Sequence, residues 1–331
     1  YEHRLRVFSP PTAFAASGVL PREAPAPWRL RPLDWRIADS AGSSWRHEID
    51  RASLSADLGR VKLTVGRQAV GWGRGASFGA VDLFSPFSPL EVDREWRRGV
   101  DAVRADIGIG GRSSVDLVGA FGERLDASVL AARIRGYAGD VDWEVMGGRR
   151  ARDAFAGATS SAAVGDAEMH AELAVFRAPE ILPGSGGRTA LKAVAGASYR
   201  FDVANGIFVH AEYHYSGFGA RATQGIPALL ADPAFQARYL RGDTQILARH
   251  ATAALASYEV SPELALGLQW IHGPADGSGL VSPSATLTLG DKLSLLAAAY
   301  VPYGASPRAG RPGSEYGAVP LAGLVQVRIY E

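Results

Sequence analysis

His210, Glu212 and His214 stand at every second position of one short segment, and His170 and Glu172 repeat the spacing earlier in the chain. Imidazoles and carboxylates in that pattern are donors for a divalent metal, or members of a charged network. Side chains two apart on a strand are separated by about 6.6 Å, too far for both to reach one ion without flexing. Lys192 and Arg200, one segment away, offer simpler partners for the carboxylates. The expectation is therefore an electrostatic network with no metal and no cofactor. The second chemistry to weigh is hydrolysis. His250 and His272 lie near Ser257 and Ser278, but Gly277-Ser278-Gly279 lacks the flanks of a nucleophile elbow. Gly108-Ile109-Gly110-Gly111 is followed by alternating residues and no helix, so it is not a phosphate loop. No enzyme activity is expected.

The elements that must carry these residues are strands. Leu191–Phe201 places apolar or aromatic residues at every odd position, against Lys192, Gly196, Ser198 and Arg200 on the even face. After the turn residues Asn205-Gly206, Ile207–Tyr215 repeats the plan with His210, Glu212 and His214 on the even face. About sixteen such segments can be traced, centred on 28–38, 45–58, 61–70, 100–109, 113–122, 127–137, 140–148, 153–162, 167–177, 190–201, 206–215, 248–259, 263–271, 281–289, 293–301 and 321–330. Short turns alternate with a side that carries the long links 71–99, 216–247 and 302–320. That alternation is the habit of an outer-membrane barrel with periplasmic termini. Residues 1–27, rich in Pro and Ala, are expected to form a periplasmic or plug-like extension, and 28–331 the barrel.

Composition agrees. The 331 residues carry a net charge of +1, which gives no electrostatic reason to bind nucleic acid, and contain no cysteine, which excludes disulfides and thiolate sites. No run of 18 apolar residues is present, so no α-helical span is expected. A mature chain whose signal peptide has been removed fits the first residues, Tyr1-Glu2-His3-Arg4. The supposed inner face is too charged for a dry core. Arg133 and Arg135 share one strand face, Glu168, His170 and Glu172 another, and Lys192 and Arg200 a third. Burying them unpaired would cost several kcal/mol each, whereas a water-filled lumen leaves them solvated. Trp28, Trp35, Tyr199, Phe201, Tyr213, Tyr215, Tyr258 and Trp270 are candidates for the aromatic girdles.

Val65-Gly66-Arg67-Gln68-Ala69-Val70-Gly71-Trp72-Gly73, with Val81-Asp82-Leu83-Phe84-Ser85-Pro86-Phe87 and Arg98-Gly99-Val100-Asp101-Ala102, resembles a recurring segment of poorly characterised porin-like outer-membrane proteins of Gram-negative bacteria. The resemblance implies an all-β, closed, antiparallel up-and-down barrel, and names no solute.

The expected function is diffusion of small polar or charged solutes. The pore-lining candidates are Arg133, Arg135, Glu168, His170, Glu172, Lys192, Arg200, His210, Glu212 and His214. The cations are expected on one arc and Glu168, Glu172 and Glu212 on a neighbouring one, giving a transverse field. The link 71–99 either folds inward as a constriction, with Trp72, Asp93, Arg94, Glu95, Arg97 and Arg98 as its candidates, or caps the rim. Ile226, Leu229, Leu230, Phe235 and Leu240 suggest a short helix interrupted by Pro233. The alternatives are a barrel that sheathes or anchors a partner protein (an electron carrier, lipoprotein or surface filament) and an outer-membrane hydrolase. Expected partners are membrane lipid and lipopolysaccharide, and either a second copy or another protein.

Overall fold

The computed structural model describes residues 2–7, 28–30, 33–39, 43–87, 89, 97–179, 181, 186–308 and 312–329. Its first three strands are β1 (Glu2–Val7), β2 (Asp34–Asp39) and β3 (Ser43–Glu48), which pair in the order β1-β3-β2. Next come β4 (Ala52–Leu58), β5 (Val61–Gln68), β6 (Val100–Gly110), β7 (Ser113–Ala120), β8 (Val129–Ala138) and β9 (Val141–Arg150). They are followed by β10 (Asp153–Val164), β11 (Ala167–Arg177), β12 (Thr189–Phe201) and β13 (Ile207–Ser216). Two short helices, α1 (Ile226–Ala231) and α2 (Pro233–Leu240), precede β14 (His250–Glu259), β15 (Leu264–Gly273), β16 (Ser278–Leu289), β17 (Leu293–Tyr303) and β18 (Ala322–Ile329).

Strands β4 to β18 form one 15-stranded sheet in which every neighbour in space is a neighbour in sequence. Each pair is antiparallel, the ordering of an up-and-down barrel. From β8 to β17 the strands are 10 to 13 residues long, enough to cross a bilayer at a tilt. No helix among the described residues is long and apolar enough to span a membrane.

The alternation seen in the sequence is the alternation of the two faces. On β11, Met169, Leu173 and Val175 are exposed on the outer surface, while His170, Glu172, Ala174 and Phe176 are buried inside. On β13, Tyr213 points outward, and His210, Glu212, His214 and Ser216 point inward. Large apolar side chains exposed on every second residue are unstable in water and at home in hydrocarbon.

Segmentation differs from the sequence expectation only at the start. The segment 45–58 is not one strand. It breaks at Asp50, whose carboxylate turns inward to accept from Gly99 N (2.9 Å) and Arg29 Nη2 (2.8 Å). The segment expected over 28–38 is a strand only over Asp34–Asp39, in the small sheet. Within 1–27, Glu2–Val7 is a strand paired with β3, and residues 1 and 8–27 lie outside the described residues.

Trp28 is a second correction. It does not lie in a girdle. It is buried, its indole Nε1 donates to Leu83 O (3.1 Å), and the Arg150 guanidinium lies 5.5 Å from its ring centre. Trp35 and Trp270 are exposed, as are Tyr199, Phe201 and Tyr213. The helix expected around Pro233 is two helices: Pro233 opens α2, and Asp232 caps it by accepting from Phe235 N (2.6 Å). Ile226, Leu229 and Phe235 form a local core, while Leu240 is exposed.

Candidate lumen and constriction site

The connection between β5 and β6 does not cap the rim. It enters the barrel and crosses to the opposite wall, and the wall receives it through carboxylates. Glu172 Oε1 accepts from Arg74 N and from Gly75 N (2.8 Å), and its Oε2 from Ala80 N (2.7 Å) and Val81 N (3.3 Å). Glu212 Oε1 accepts from Ala76 N (2.5 Å), and its Oε2 from Ser77 N (2.8 Å) and Phe78 N (3.0 Å). Two strand carboxylates thus satisfy seven backbone N–H groups of one loop. Bonds to a carboxylate acceptor are the strong class of hydrogen bond, and they offset the cost of burying both side chains.

The remaining contacts fix the loop in depth. Lys192 Nζ donates to Gly79 O (2.8 Å), and Gln245 Oε1 accepts from Gly79 N (2.8 Å). Phe78 stacks on His214 with ring centres 4.9 Å apart. Trp72 Nε1 donates to Asp116 Oδ2 (3.1 Å), its ring meets Phe84 edge-on at 4.9 Å, and Arg133 lies 5.2 Å from the ring centre. Gly73 is required by the approach: a Cβ there would stand 2.7 Å from Glu172 Oε1.

A second set of ion pairs holds the connection from β13 to β14. Arg150 Nη2 meets Asp243 Oδ1 at 3.0 Å, Arg241 Nη2 meets Asp243 Oδ2 at 2.7 Å, and Arg238 pairs with Asp153. Burial alone would raise the Asp243 carboxyl, but Arg150 and Arg241 outweigh it and hold it below the usual carboxylate range. Glu315, in the connection from β17 to β18, accepts from Leu247 N (2.6 Å) and Ala248 N (3.2 Å). Burial pushes its carboxyl up to about 7, against those two N–H groups.

The sequence candidates sort by depth. Arg133, His170, Glu172, Lys192, His210, Glu212 and His214 are buried on the inner face, around the docked loop. Arg135, Glu168 and Arg200 are exposed near the short turns, away from that level. Arg200 Nη2 donates to Asn205 O (3.0 Å) and is not the partner expected for the carboxylates. Lys192 is not a direct ion-pair partner either, since its ammonium bonds a loop carbonyl. Among the constriction candidates, Trp72 and Arg97 belong to the docked loop. Arg97 pairs with Asp82, donates to Ser85 O (2.6 Å) and lies over Phe87 at 4.6 Å. Arg98 turns to Glu48 Oε2 at 3.5 Å. Asp93, Arg94 and Glu95 lie outside the described residues.

The expected separation of charge into opposed arcs is not what the wall shows. Arg133 sits between two acids, with Nη2 3.0 Å from Asp116 and Nη1 3.2 Å from Glu144, and Arg104 Nε reaches Asp116 at 2.9 Å. Lys192, on β12, lies between the strands of Glu172 and Glu212. Opposite charges interleave because neighbouring strands bring their inward residues side by side, and buried ions must be paired locally. For the same reason these side chains are not freely solvated in a wide lumen.

A further cluster joins β11 to β13. His170 Nε2 is 3.1 Å and His210 Nε2 2.9 Å from Glu212 Oε1, and the two imidazoles are parallel at 5.2 Å. Gly196 makes this possible. It is the β12 residue paired with both His170 and Glu212, and a Cβ there would stand 2.5 Å from His170 Cε1 and 2.7 Å from Glu212 Cγ. On the lipid side, His250 Nδ1 meets the Tyr213 hydroxyl and His272 Nδ1 the Tyr303 hydroxyl (3.0 Å).

No family model and no curated protein matches the sequence. Solved structures do. OprD of Pseudomonas aeruginosa aligns over 87% of this chain and 83% of its own, with TM-score 0.53 and 10% identity. The fold is that of an outer-membrane porin barrel. OccK11 (OpdR) of Pseudomonas aeruginosa aligns over 84% of this chain and 80% of its own (TM-score 0.52, 13% identity). OccAB1 of Acinetobacter baumannii aligns over 87% and 76% (TM-score 0.50, 10% identity). At these identities the porin fold is shared while the side chains of the lumen are this chain's own.

Sequence reasoning missed what the acids hold. Its signal was present in Gly71-Trp72-Gly73-Arg74-Gly75-Ala76-Ser77-Phe78-Gly79, a glycine-rich run whose N–H groups can approach an anion.

Proposed function

We propose that this chain is an outer-membrane channel of a Gram-negative bacterium, passing small polar or charged solutes through a lumen narrowed by its own β5–β6 connection. The observation that carries the reading is the fastening of that loop, inside a porin barrel, to Glu172 and Glu212. An inward loop reduces a wide bore to a passage bordered by fixed dipoles and charges, which is how a pore selects among solutes. The Gly-Arg-Gln, Trp-Gly and Pro/Phe segment over 65–102 supports placing it among the porin-like proteins that it resembles. Its outer face would touch lipid and, on the long-loop side, lipopolysaccharide.

A channel is favoured over a sheath for a partner chain because residues 74–81 of one loop and 238–248 of another already lie against the inner wall. It is favoured over a hydrolase because His250 and His272 take tyrosine partners in place of serine. The test is planar-bilayer recording of the purified barrel. Discrete conductance steps are expected, larger in Glu172→Gln/Glu212→Gln. Silence in both the parent and the variant would overturn the reading.

A further inference from the structure

We infer that His170, His210 and Glu212 form a binding site for a borderline divalent metal ion, with zinc as the best match. The inference rests on the fold alone and stands whether or not the barrel conducts. Three observations carry it. First, the donors come from two strands and still converge: all three donor atoms lie within 4.8 Å of one another. The separation of about 6.6 Å between alternate positions on one strand does not apply to His170, which reaches Glu212 across Gly196, and the His210 and Glu212 side chains bend together to 2.9 Å despite it. Second, the nitrogen-to-oxygen distances of 3.1 and 2.9 Å lie a few tenths of an ångström inside the roughly 3.4 Å between two ligands about 2.1 Å from a tetrahedral zinc ion, so a small outward shift of each imidazole seats it.

Third, hydrogen bonding does not account for the cluster. His170 Nε2 has bond geometry toward Glu212 Oε1. His210 Nε2 is buried at a similar distance and makes no hydrogen bond. Glu212 Oε1 already takes the N–H of Ala76. An ion at the meeting point uses the lone pairs of both imidazoles and of Oε1, and leaves Oε2 to Ser77 and Phe78. Two imidazoles and one carboxylate suit zinc, and in a set without sulfur they discriminate against calcium and magnesium, which want oxygen alone. Three protein ligands leave a position for water. The ion would tie β11 to β13 directly beneath residues 76–78 of the loop.

The experiment is titration of the purified full chain in detergent with Co2+ as a coloured probe, followed by displacement with Zn2+. One equivalent is expected, with visible bands of a nitrogen- and oxygen-ligated ion that Zn2+ abolishes. His170→Ala and His210→Ala should each weaken binding by at least about 100-fold. His250→Ala and His272→Ala, at the outer rim, should leave it unchanged. Should an alanine variant fail to assemble, His210→Gln keeps a polar side chain of similar reach and is read in the same way. No stoichiometric binding, or binding that survives the inner substitutions and is lost with the rim ones, would overturn the site.

Discussion

The inner wall has two unlike halves. From β5 to β13 it carries Arg104, Asp116, Arg133, Glu144, Glu172, Lys192 and Glu212, and it holds the inward loop. From β14 to β17 the inward residues above the short turns are small, neutral or apolar: Ala251 and Ala253, Gln269 and Ile271, Leu280, Ser282, Ser284 and Thr286, Ser294, Leu296 and Ala298. Glu259 is left at the short-turn rim. The loop meets this half through single amide contacts such as Gln269 Nε2 to Pro89 O (2.7 Å). Among the described residues, the buried charges of this lumen lie where chain is fastened, and the wall without them is smooth.

The most severe test of that contrast is Glu172→Gln with Glu212→Gln. Each replacement sets an amide NH2 among N–H donors, so the loop should detach, at a cost of roughly 3–5 kcal/mol in stability. Single-channel conductance should rise, and an unchanged conductance would show that the acids do not hold the constriction. Next in size is Arg133→Ala, which takes from Glu144 its nearest cation while Asp116 keeps Arg104 and Trp72, and which should destabilise the barrel by about 3 kcal/mol in urea unfolding from vesicles.

Glu315 tests whether the neutral half depends on ions through its rim. Its folded carboxyl, near 7, lies above its ordinary value, so the folded state binds the extra proton. The stability this gives is full below the ordinary carboxylate value and is lost as pH rises through about 7, by on the order of 3 kcal/mol. Thermal melts of the parent should fall over pH 5 to 8, while Glu315→Gln should stay flat. The smallest effect is expected from Thr286→Ala on the smooth half, within about 0.5 kcal/mol and with no change in conductance.

The barrel was legible because two-residue alternation is imposed by the pleat itself, and a lipid-facing row leaves no freedom in residue type. Its first segments were not. The turn at Asp50 depends on Arg29 and Gly99, which are distant in sequence, and Trp28 looks like a girdle residue until its indole is seen to bond Leu83 O. The candidate acids were legible as inward residues, but their partners were not, since these are backbone amides whose availability no side chain announces. The His170 and Glu212 encounter was hidden for a related reason: it depends on what Gly196 lacks.

The fastening of the loop also makes its placement depend on distant strands. Arg74 and Ala76 find their acceptors 98 and 136 residues further along the chain. Whatever the order in which strands are added, that loop is adrift until both β11 and β13 are in place, and a barrel lacking either acid-bearing strand would have a wider bore than the finished one.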